Sequence, residues 1–546
     1  MERIQTLLPT IWDKKKHKTL PVLKTSYNEN GFEEGYTASY EKGAIHLDAE
    51  SPSAAAYGSY NILAGVRSDH LGEHLGDNKP RYALRPLWIC GTQQHRLSDN
   101  VTIALPNFFA AEENPEENKK LHTFCHRTIQ CGYNAVILGG SETPKERRHQ
   151  EDKNFVDTIA VIRSYGIKVI VKADITLEEQ CPCNAHYRDA VEKEINSLSC
   201  LLNDVDYIMW ESGFCNKNFY GDAENATVYD LISNEVATIE NALQGRSGLI
   251  YYLPYHENHN PSWQSSWLEN LCNDASNGTI VAFSAVSGKA HESYRQEHPL
   301  WQALRQNDDI DITPTLMPIV NVGKTSYGEG LWPDLTLSAI ERYIGTRYHH
   351  ACIGATVMTR HLPDNDGILA ASLWIAGQRM WRDITACDLA DTWFRGYRPE
   401  IPYQHHKEML NDVEDIIIAL YRLYHNDNDD KEGCRIKAQE ILARISVLQK
   451  EYGMNYDDDT VTTLGDYLRY FVRDARKMIL HIITTNGITI AGVLDGDDLT
   501  ESFWANVEGA TSRGGNLGGK MTSHFLTTPQ KGEPGSRQEM IYNENV

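Results

Sequence analysis

Three absences set the first limits on this chain of 546 residues. No uninterrupted apolar run approaches the roughly 20 residues that a membrane-spanning helix needs, so we expect no membrane partner. Lys and Arg number 52 against 75 Asp and Glu, and the net charge of −23 argues against nucleic-acid binding, which depends on basic surfaces. The first strand-like segment also runs on without the glycine-rich phosphate loop of a dinucleotide-binding fold.

Eleven cysteines are scattered along the chain without the spacing of a disulfide framework. The segment MERIQTLLPTIWDKKKHK has its basic residues after the apolar ones, which is not the pattern of a secretory signal peptide. An odd number of cysteines without that signal fits reduced thiols, so we expect a cytoplasmic protein. The pair Cys181 and Cys183 is spaced too tightly for a usual zinc clip, and we expect neither a metal nor another cofactor.

Alternation of short apolar segments with amphipathic helical stretches is the main structural signal. Eight such segments with helical connections favour a closed parallel barrel over an open sheet. The fold class predicted is therefore α/β, a (β/α)8 TIM barrel with a small N-terminal α/β domain and a C-terminal helical domain. The predicted barrel strands are Ala83–Cys90, Asn134–Leu138, Ile167–Asp174, Asp206–Glu211, Leu249–Tyr255, Thr279–Ala285, Thr315–Val322 and Ile353–Thr359.

Composition divides the chain into four predicted parts. Residues 1–80 combine a hairpin pattern, with a turn at Glu41-Lys42-Gly43, and a helix that begins near Ser51. The barrel is assigned to 81–390 and a helical domain to 391–520. Residues 521–546 are polar and rich in Gly, Pro, Gln and Glu, which predicts a flexible tail.

The fourth predicted strand ends in an acidic residue, Glu211, directly before Ser212-Gly213. In TIM barrels the carboxyl ends of the strands form the reaction chamber, so Glu211 is a candidate catalytic residue. Trp210 is expected to form an apolar wall beside it. Aromatic rings and polar groups follow the other strands, and such a rim favours sugar chemistry, in which rings stack on sugars and two carboxyl groups flank the glycosidic bond. The candidate substrate-binding residues are Trp88, Asp174, Trp210, Tyr255, His256, His291, Asn321, Lys324 and Arg360.

A metal site at His256-Glu257-Asn258-His259 is an alternative interpretation of one segment. The metalloprotease pattern places two histidines four residues apart on a helix. Here the spacing is three, and the segment follows a strand and continues into Asn260-Pro261, which predicts a loop. We therefore interpret this segment as a loop that faces the substrate.

The order of motifs resembles the α-glucuronidases of glycoside hydrolase family 67. The resemblance runs over most of the chain: the segment from Gly35 to Gly58 resembles that family's small N-terminal domain, and the third and fourth strands resemble their counterparts. It implies an inverting glycosidase with the general acid at Glu211 and a homodimer through the C-terminal helices. The segments that carry it are Gly35–Gly58, Tyr165–Val169, Met209–Gly213, Glu297–Trp301, Ala371–Trp381 and Asp388–Trp393.

The chain departs from the family at the base positions after strands six and seven. These fall near His291 and Thr325, so the neighbouring Glu292 and Glu329 are the candidate bases. The family's arginine after strand five is replaced by Leu253-Pro254-Tyr255-His256. A sugar carboxylate would then need another cation, and the candidates are Lys172, Lys289, Lys324 and Arg360.

Three functions stay open on the sequence. The first is a glycoside hydrolase that acts on a glycan-derived oligosaccharide, with an α-glucuronidase-like activity as its specific form. The second is a carbohydrate-binding pseudoenzyme on the same scaffold, which is suggested by the displaced acidic residues. The third is a metal-dependent barrel enzyme that uses His256 and His259.

Overall fold

The computed structural model describes the barrel strands and most of the helices around them. Within the part of the chain that is described, no helix combines the length and the apolar character needed to cross a bilayer. The described residues are 22–28, 34–67, 71–89, 93–96, 101–105, 115–139, 152–172, 174–175, 185–199, 201–211, 228–253, 278–285, 298, 300–301, 304, 315–322, 325–327, 330–332, 337–359, 368–394, 412–413, 415–416, 419 and 431–452.

Eight parallel strands form a closed barrel, which confirms the predicted TIM-barrel fold. Each strand pairs with the preceding one, and the eighth closes the ring by pairing with the first, Val357 opposite Leu87. Every predicted segment overlaps an observed strand. The barrel strands are Pro86–Ile89, Ala135–Gly139, Lys168–Lys172, Tyr207–Glu211, Gly248–Leu253, Ile280–Ser284, Leu316–Asn321 and Thr356–Thr359.

Side chains along each barrel strand alternate between the interior and the layer beneath the helices, as the two-residue period of a strand requires. In the fourth strand, Ile208 and Trp210 belong to the outer apolar cluster and Met209 belongs to the inner one. The interior is a packed core rather than a channel. Its buried members are Leu84, Trp88, Ala135, Ile137, Ile170, Met209, Ile250, Tyr252, Ile280, Ala282, Met317 and Ile319.

Helices cover the outside of the barrel and bury their apolar faces against the strands. Two of them, Pro115–Cys131 and Ile368–Trp381, approach so closely that a Cβ atom at Gly377 would lie 2.0 Å from the Cys131 carbonyl oxygen. Only glycine fits there without a shift of backbone. The remaining helical elements are Pro52–Arg67, Leu71–His74, Asp152–Ser164, Ala185–Ser197, Val228–Leu243, Leu337–Ala339, Ile340–Ile344, Arg347–Ala351, Ala386–Phe394 and Lys431–Tyr452.

A four-stranded sheet precedes the barrel in the chain. Its strands lie in the order Val22–Tyr27, Ala44–Ala49, Tyr36–Glu41 and Gly76–Asn78. The predicted hairpin is confirmed, since the second and third strands in the chain pair antiparallel around a turn at Lys42 and Gly43, both with positive φ. The predicted helix follows, and the Ser51 hydroxyl accepts a hydrogen bond from the Ala54 amide at 3.1 Å, which caps its first turn.

Arg85 links the segment between the first two strands of this sheet to the N-terminal end of the barrel. It directly precedes the first barrel strand, and its side chain is fully buried. The guanidinium donates to the Glu34 carboxylate at 2.5 Å and to the Gly132 carbonyl at 2.8 Å, and it stacks 4.7 Å from the centre of the Trp381 ring. At this end of a TIM barrel, buried polar contacts serve stability rather than catalysis.

A small antiparallel sheet lies beyond the carboxyl ends of the first and third barrel strands. Gln93–Arg96 pairs with Val101–Leu105, and Asp174–Ile175 pairs with the other edge of Val101–Leu105. A second hairpin follows the seventh barrel strand, with Thr325–Tyr327 opposite Gly330–Trp332. Neither of these small sheets was predicted from the sequence.

Helices are also described in the part of the chain assigned to the C-terminal domain. One of them is Lys431–Tyr452, in which Arg444 donates to the Asp412 carboxylate at 3.0 Å from its Nε. Residues 453–520 and the predicted tail 521–546 lie outside the described residues, so the proposed domain limits stay predictions.

Candidate functional site

Five side chains meet inside the barrel at the carboxyl ends of its strands, which is where a TIM barrel places its active site. They come from five different strands, and each lies on the inner face by the alternation described above. Together they form an ion pair, an aromatic pair and a hydroxyl pair. The members are Trp88, Lys172, Glu211, Tyr252 and Ser284.

Glu211 is the last residue of the fourth barrel strand, and its carboxylate makes a salt bridge with Lys172 at the end of the third strand. The Nζ–Oε2 distance is 2.8 Å. The Lys172 side chain is only 6 % exposed, whereas that of Glu211 is 41 % exposed. The ion pair therefore has its ammonium buried in the barrel interior and its carboxylate at the open mouth.

Strand register brings these two residues together. Met209 lies opposite Lys172 in the pairing of strands three and four, so Glu211 is two residues further along on the same face. Glu211 in turn lies opposite Tyr252 of the fifth strand. The acid thus stands between a cation on one side and a phenol ring on the other.

Two aromatic rings line the interior next to the ion pair. The Trp88 ring centre lies 6.0 Å from the Lys172 ammonium, at the outer limit of a cation–π contact. Trp88 also packs edge-on against Tyr252, with ring centres 5.6 Å apart. The Trp88 indole N–H donates to the Gly139 carbonyl at 2.8 Å, and this bond fixes the orientation of the ring.

Tyr252 and Ser284 share a hydrogen bond of 2.8 Å, in which either hydroxyl can donate. Both are polar groups at the carboxyl ends of neighbouring strands, so their oxygen atoms can exchange this bond for one to a ligand. Tyr252 is 7 % exposed. Among the described residues, the site consequently combines one carboxylate, one ammonium group, two hydroxyl groups and two aromatic rings.

Trp210 lies on the opposite face of its strand from Glu211. Its indole is buried in the outer cluster and its N–H donates to the Glu235 carboxylate at 3.4 Å. The expected apolar wall beside Glu211 is therefore supplied by Trp88 and Tyr252 rather than by Trp210. Adjacent residues of a strand point to opposite faces, and this physical reason was already available in the sequence.

The structure describes only some of the other predicted site residues. Trp88 lies in the site, while Asp174 and Asn321 end or follow strands near the mouth and are described by their backbone alone. The predicted partner acids and most predicted substrate contacts fall outside the described residues and stay predictions; they are Glu292, Glu329, Tyr255, His256, His291, Lys324 and Arg360.

Three members of the site were not among the predicted site residues. Lys172 was considered only as a cation for a sugar acid, and Tyr252 and Ser284 were not assigned a role. Each is the last inner-facing residue of its barrel strand. Lys172 and Tyr252 each lie two positions beyond an apolar residue of the barrel interior. Counting back in steps of two from the strand ends is the signal that could have found them.

Comparisons with known proteins show a shared fold without a shared sequence. No protein-family model matches the chain, and no curated protein matches its sequence. Among solved structures, it is similar to a GH138 enzyme targeting pectin rhamnogalacturonan II, with a TM-score of 0.54 and 10 % identity over 89 % of this chain and 84 % of that one. A GH20 exo-β-N-acetylglucosaminidase from Vibrio harveyi is also similar, with a TM-score of 0.39 and 10 % identity over 76 % of this chain and 72 % of that one.

Proposed function

We propose that the chain is a glycoside hydrolase that acts on a glycan-derived oligosaccharide, with Glu211 as a catalytic carboxylate. The observation that carries the proposal is the position of this residue, on the inner face at the carboxyl end of the fourth barrel strand and bonded to Lys172. The fold is that of a GH138 enzyme whose target is the pectin rhamnogalacturonan II. The proposed reaction uses neither a metal nor another cofactor.

The groups in the site suit the binding and cleavage of a sugar. Trp88 and Tyr252 form an apolar floor on which a sugar ring can rest, and the Tyr252 and Ser284 hydroxyls can bond to sugar hydroxyls. Hydrolysis needs a second carboxyl group across the glycosidic bond. Glu292 and Glu329, after the sixth and seventh strands, remain our proposed partners.

The salt bridge to Lys172 bears on the role of Glu211. The Lys172 ammonium donates to the Glu211 carboxylate, whereas a general acid must direct its own proton at the glycosidic oxygen. The role of general acid that we propose for Glu211 therefore requires that Lys172 turn to an oxygen of the substrate. An acidic sugar offers such an oxygen, so an α-glucuronidase-like activity is the specific form of the proposal.

Turnover by Glu211→Gln tests this role. If Glu211 donates the proton to the leaving group, hydrolysis of oligosaccharides should fall by about 100-fold or more, because their leaving alcohol needs protonation. Hydrolysis of 4-nitrophenyl glycosides should fall much less, because nitrophenolate leaves without a proton. The measurement is release of reducing sugar and of nitrophenol by the wild type and the variant.

The matched control is Glu41→Gln, which neutralises an exposed carboxylate at the end of a strand in the N-terminal sheet. It should leave both activities unchanged. Equal loss on both substrate types in Glu211→Gln would assign Glu211 the part of base or nucleophile instead of acid. Full activity of Glu211→Gln on both would refute a catalytic role.

The second candidate function is a carbohydrate-binding protein without turnover. The ion pair favours it, because Lys172 engages the Glu211 carboxylate that should act as the acid. Binding of an oligosaccharide by calorimetry, with no sugar released by wild-type protein, would select this candidate. Release of sugar that depends on Glu211 would exclude it.

A further inference from the structure

A buried carboxylate lies directly behind the candidate site, on the helix side of the barrel wall. Glu235 belongs to the helix Val228–Leu243 and is 1 % exposed. Its Oε1 atom accepts hydrogen bonds from the Tyr187 hydroxyl and the Trp210 indole, the latter at 3.4 Å, and its Oε2 atom accepts one from the Tyr251 hydroxyl. The side chain thus joins two helices and two barrel strands.

Two of these donors immediately precede members of the candidate site. Trp210 precedes Glu211 in the fourth strand, and Tyr251 precedes Tyr252 in the fifth. The two pairs are also in register, with Trp210 opposite Tyr251 and Glu211 opposite Tyr252. Because side chains alternate along a strand, the bonds to Glu235 hold the outer face while the next residues reach into the mouth.

Glu211 has a special need for such support. It is the last residue of its strand in the described part of the chain, so its position depends on how firmly the preceding residues are held. Trp210 is the last outward-facing residue before that end, and its bond to Glu235 ties the strand end to the covering helix. A displacement of about 1 Å of a catalytic group can lower a rate by about 100-fold, so the firmness of this support matters for turnover.

We propose that Glu235 is a positioning residue that sets the placement of Glu211 and Tyr252 through Trp210 and Tyr251. The effect of Glu235 on turnover rests on the proposed function, whereas its effect on the geometry of the site does not. Tyr187 provides the contrast, because it donates to the same carboxylate from the helix Ala185–Ser197 and adjoins no member of the site.

The test compares Tyr251→Phe with Tyr187→Phe, two variants that each remove one buried phenol oxygen from the same carboxylate. Glu235→Gln and Trp210→Phe serve as further variants if either tyrosine variant does not fold. On the oligosaccharide that the wild type hydrolyses best, Tyr251→Phe should lower kcat by about 10- to 100-fold and change KM by no more than about threefold. Tyr187→Phe should keep kcat within about threefold of the wild type while losing comparable thermal stability.

Crystal structures of the same variants supply the second measurement, which does not depend on activity. In Tyr251→Phe the hydrogen bond between the Tyr252 and Ser284 hydroxyls, 2.8 Å in the wild type, should open beyond roughly 3.5 Å, and in Tyr187→Phe it should persist. An unchanged Tyr252–Ser284 hydrogen bond in Tyr251→Phe, or equal losses of kcat in the two tyrosine variants, overturns the inference. Wild-type protein that hydrolyses no oligosaccharide or 4-nitrophenyl glycoside refutes the proposed function alone, and the Tyr252–Ser284 distances in the variants then decide on Glu235.

Discussion

At the scale of single residues, the two partners of the Lys172–Glu211 salt bridge differ in their access to water. The Glu211 side chain is 41 % exposed and keeps part of its hydration, whereas the Lys172 side chain is 6 % exposed and lies in the barrel interior. Removing one member of a pair leaves the other charge behind, and the penalty grows with the burial of the remaining charge. Removing the Glu211 carboxylate and removing the Lys172 ammonium should therefore change the free energy of unfolding by different amounts.

We expect Glu211→Gln to lower the free energy of unfolding by about 1–3 kcal/mol, because it leaves the buried Lys172 ammonium without a carboxylate. Lys172→Met should change it by less than about 1 kcal/mol, because Glu211 can be hydrated at the mouth and the methionine fills the same space. Urea denaturation measures both. Lys168→Met, at the exposed opposite end of the same strand, is the control, and a larger loss in Lys172→Met than in Glu211→Gln would contradict the argument.

His298 makes stability depend on pH. Its ring is fully buried, its Nδ1 accepts a hydrogen bond from the Leu300 amide at 3.1 Å, and burial lowers its pKa from 6.5 to about 3. Between these values the unfolded chain binds a proton that the folded chain does not. The contribution of neutral His298 to stability is therefore complete above pH 6.5 and is lost as the pH falls toward 3.

The expected slope from this residue is about 1.4 kcal/mol per pH unit below its unfolded pKa. His298→Asn, which keeps an acceptor for the Leu300 amide and does not titrate, should lack this slope. Urea denaturation of both proteins from about pH 7 to about pH 5 gives the difference, in which the titration of other groups cancels. Parallel curves for the two proteins would show that His298 does not titrate in this way.

At the scale of elements, the attachment of the N-terminal sheet depends on Glu34 and Arg85. Glu34→Gln should lower the free energy of unfolding by about 3 kcal/mol, because the fully buried guanidinium loses its counter-charge. Glu432→Gln is the control, since it removes an ion pair with Arg435 that lies at the surface, where water screens the attraction between the two charges, so its effect should be much smaller. Chemical denaturation that gives equal effects for both variants would contradict the role assigned to Arg85.

Much of the arrangement of strands and turns could be predicted from the sequence, whereas the contacts between strands could not. The barrel strands were predictable because apolar runs alternate with amphipathic stretches, and the hairpin at Lys42-Gly43 because its turn residues are explicit. The salt bridge of Glu211 could not be predicted, because it depends on the register of strands three and four, which no local pattern specifies. The inner members of the site could have been inferred from strand alternation, and the outward position of Trp210 with them.

At the scale of the whole molecule, one apolar cluster extends from the N-terminal sheet through the outer layer of the barrel to the helix Lys431–Tyr452. It includes Leu23, the barrel-facing helices and Ile445. Elements that share a continuous core are expected to unfold together. A homodimer through the C-terminal helices remains a proposal, and sedimentation of the intact chain measures it.

Two thiols inside this core report on cooperative unfolding. Burial raises the pKa of Cys125 and Cys131 to about 12, and a thiol reacts through its thiolate. Iodoacetamide should therefore leave both unmodified in the folded protein and label both at one common rate as urea unfolds it. Mass spectrometry follows the labelling, with the partly buried Cys387 as the internal reference. Labelling of Cys125 or Cys131 as fast as Cys387 in native protein would contradict a shared core.

The small sheet beyond the barrel has a consequence for how the chain can change in evolution. Asp174–Ile175 follows the third barrel strand, and it pairs with Val101–Leu105, which follows the first. The second barrel strand stands between these two in the ring. An insertion or deletion in either connection shifts the pairing of the other, so homologues should vary the lengths of these two connections together.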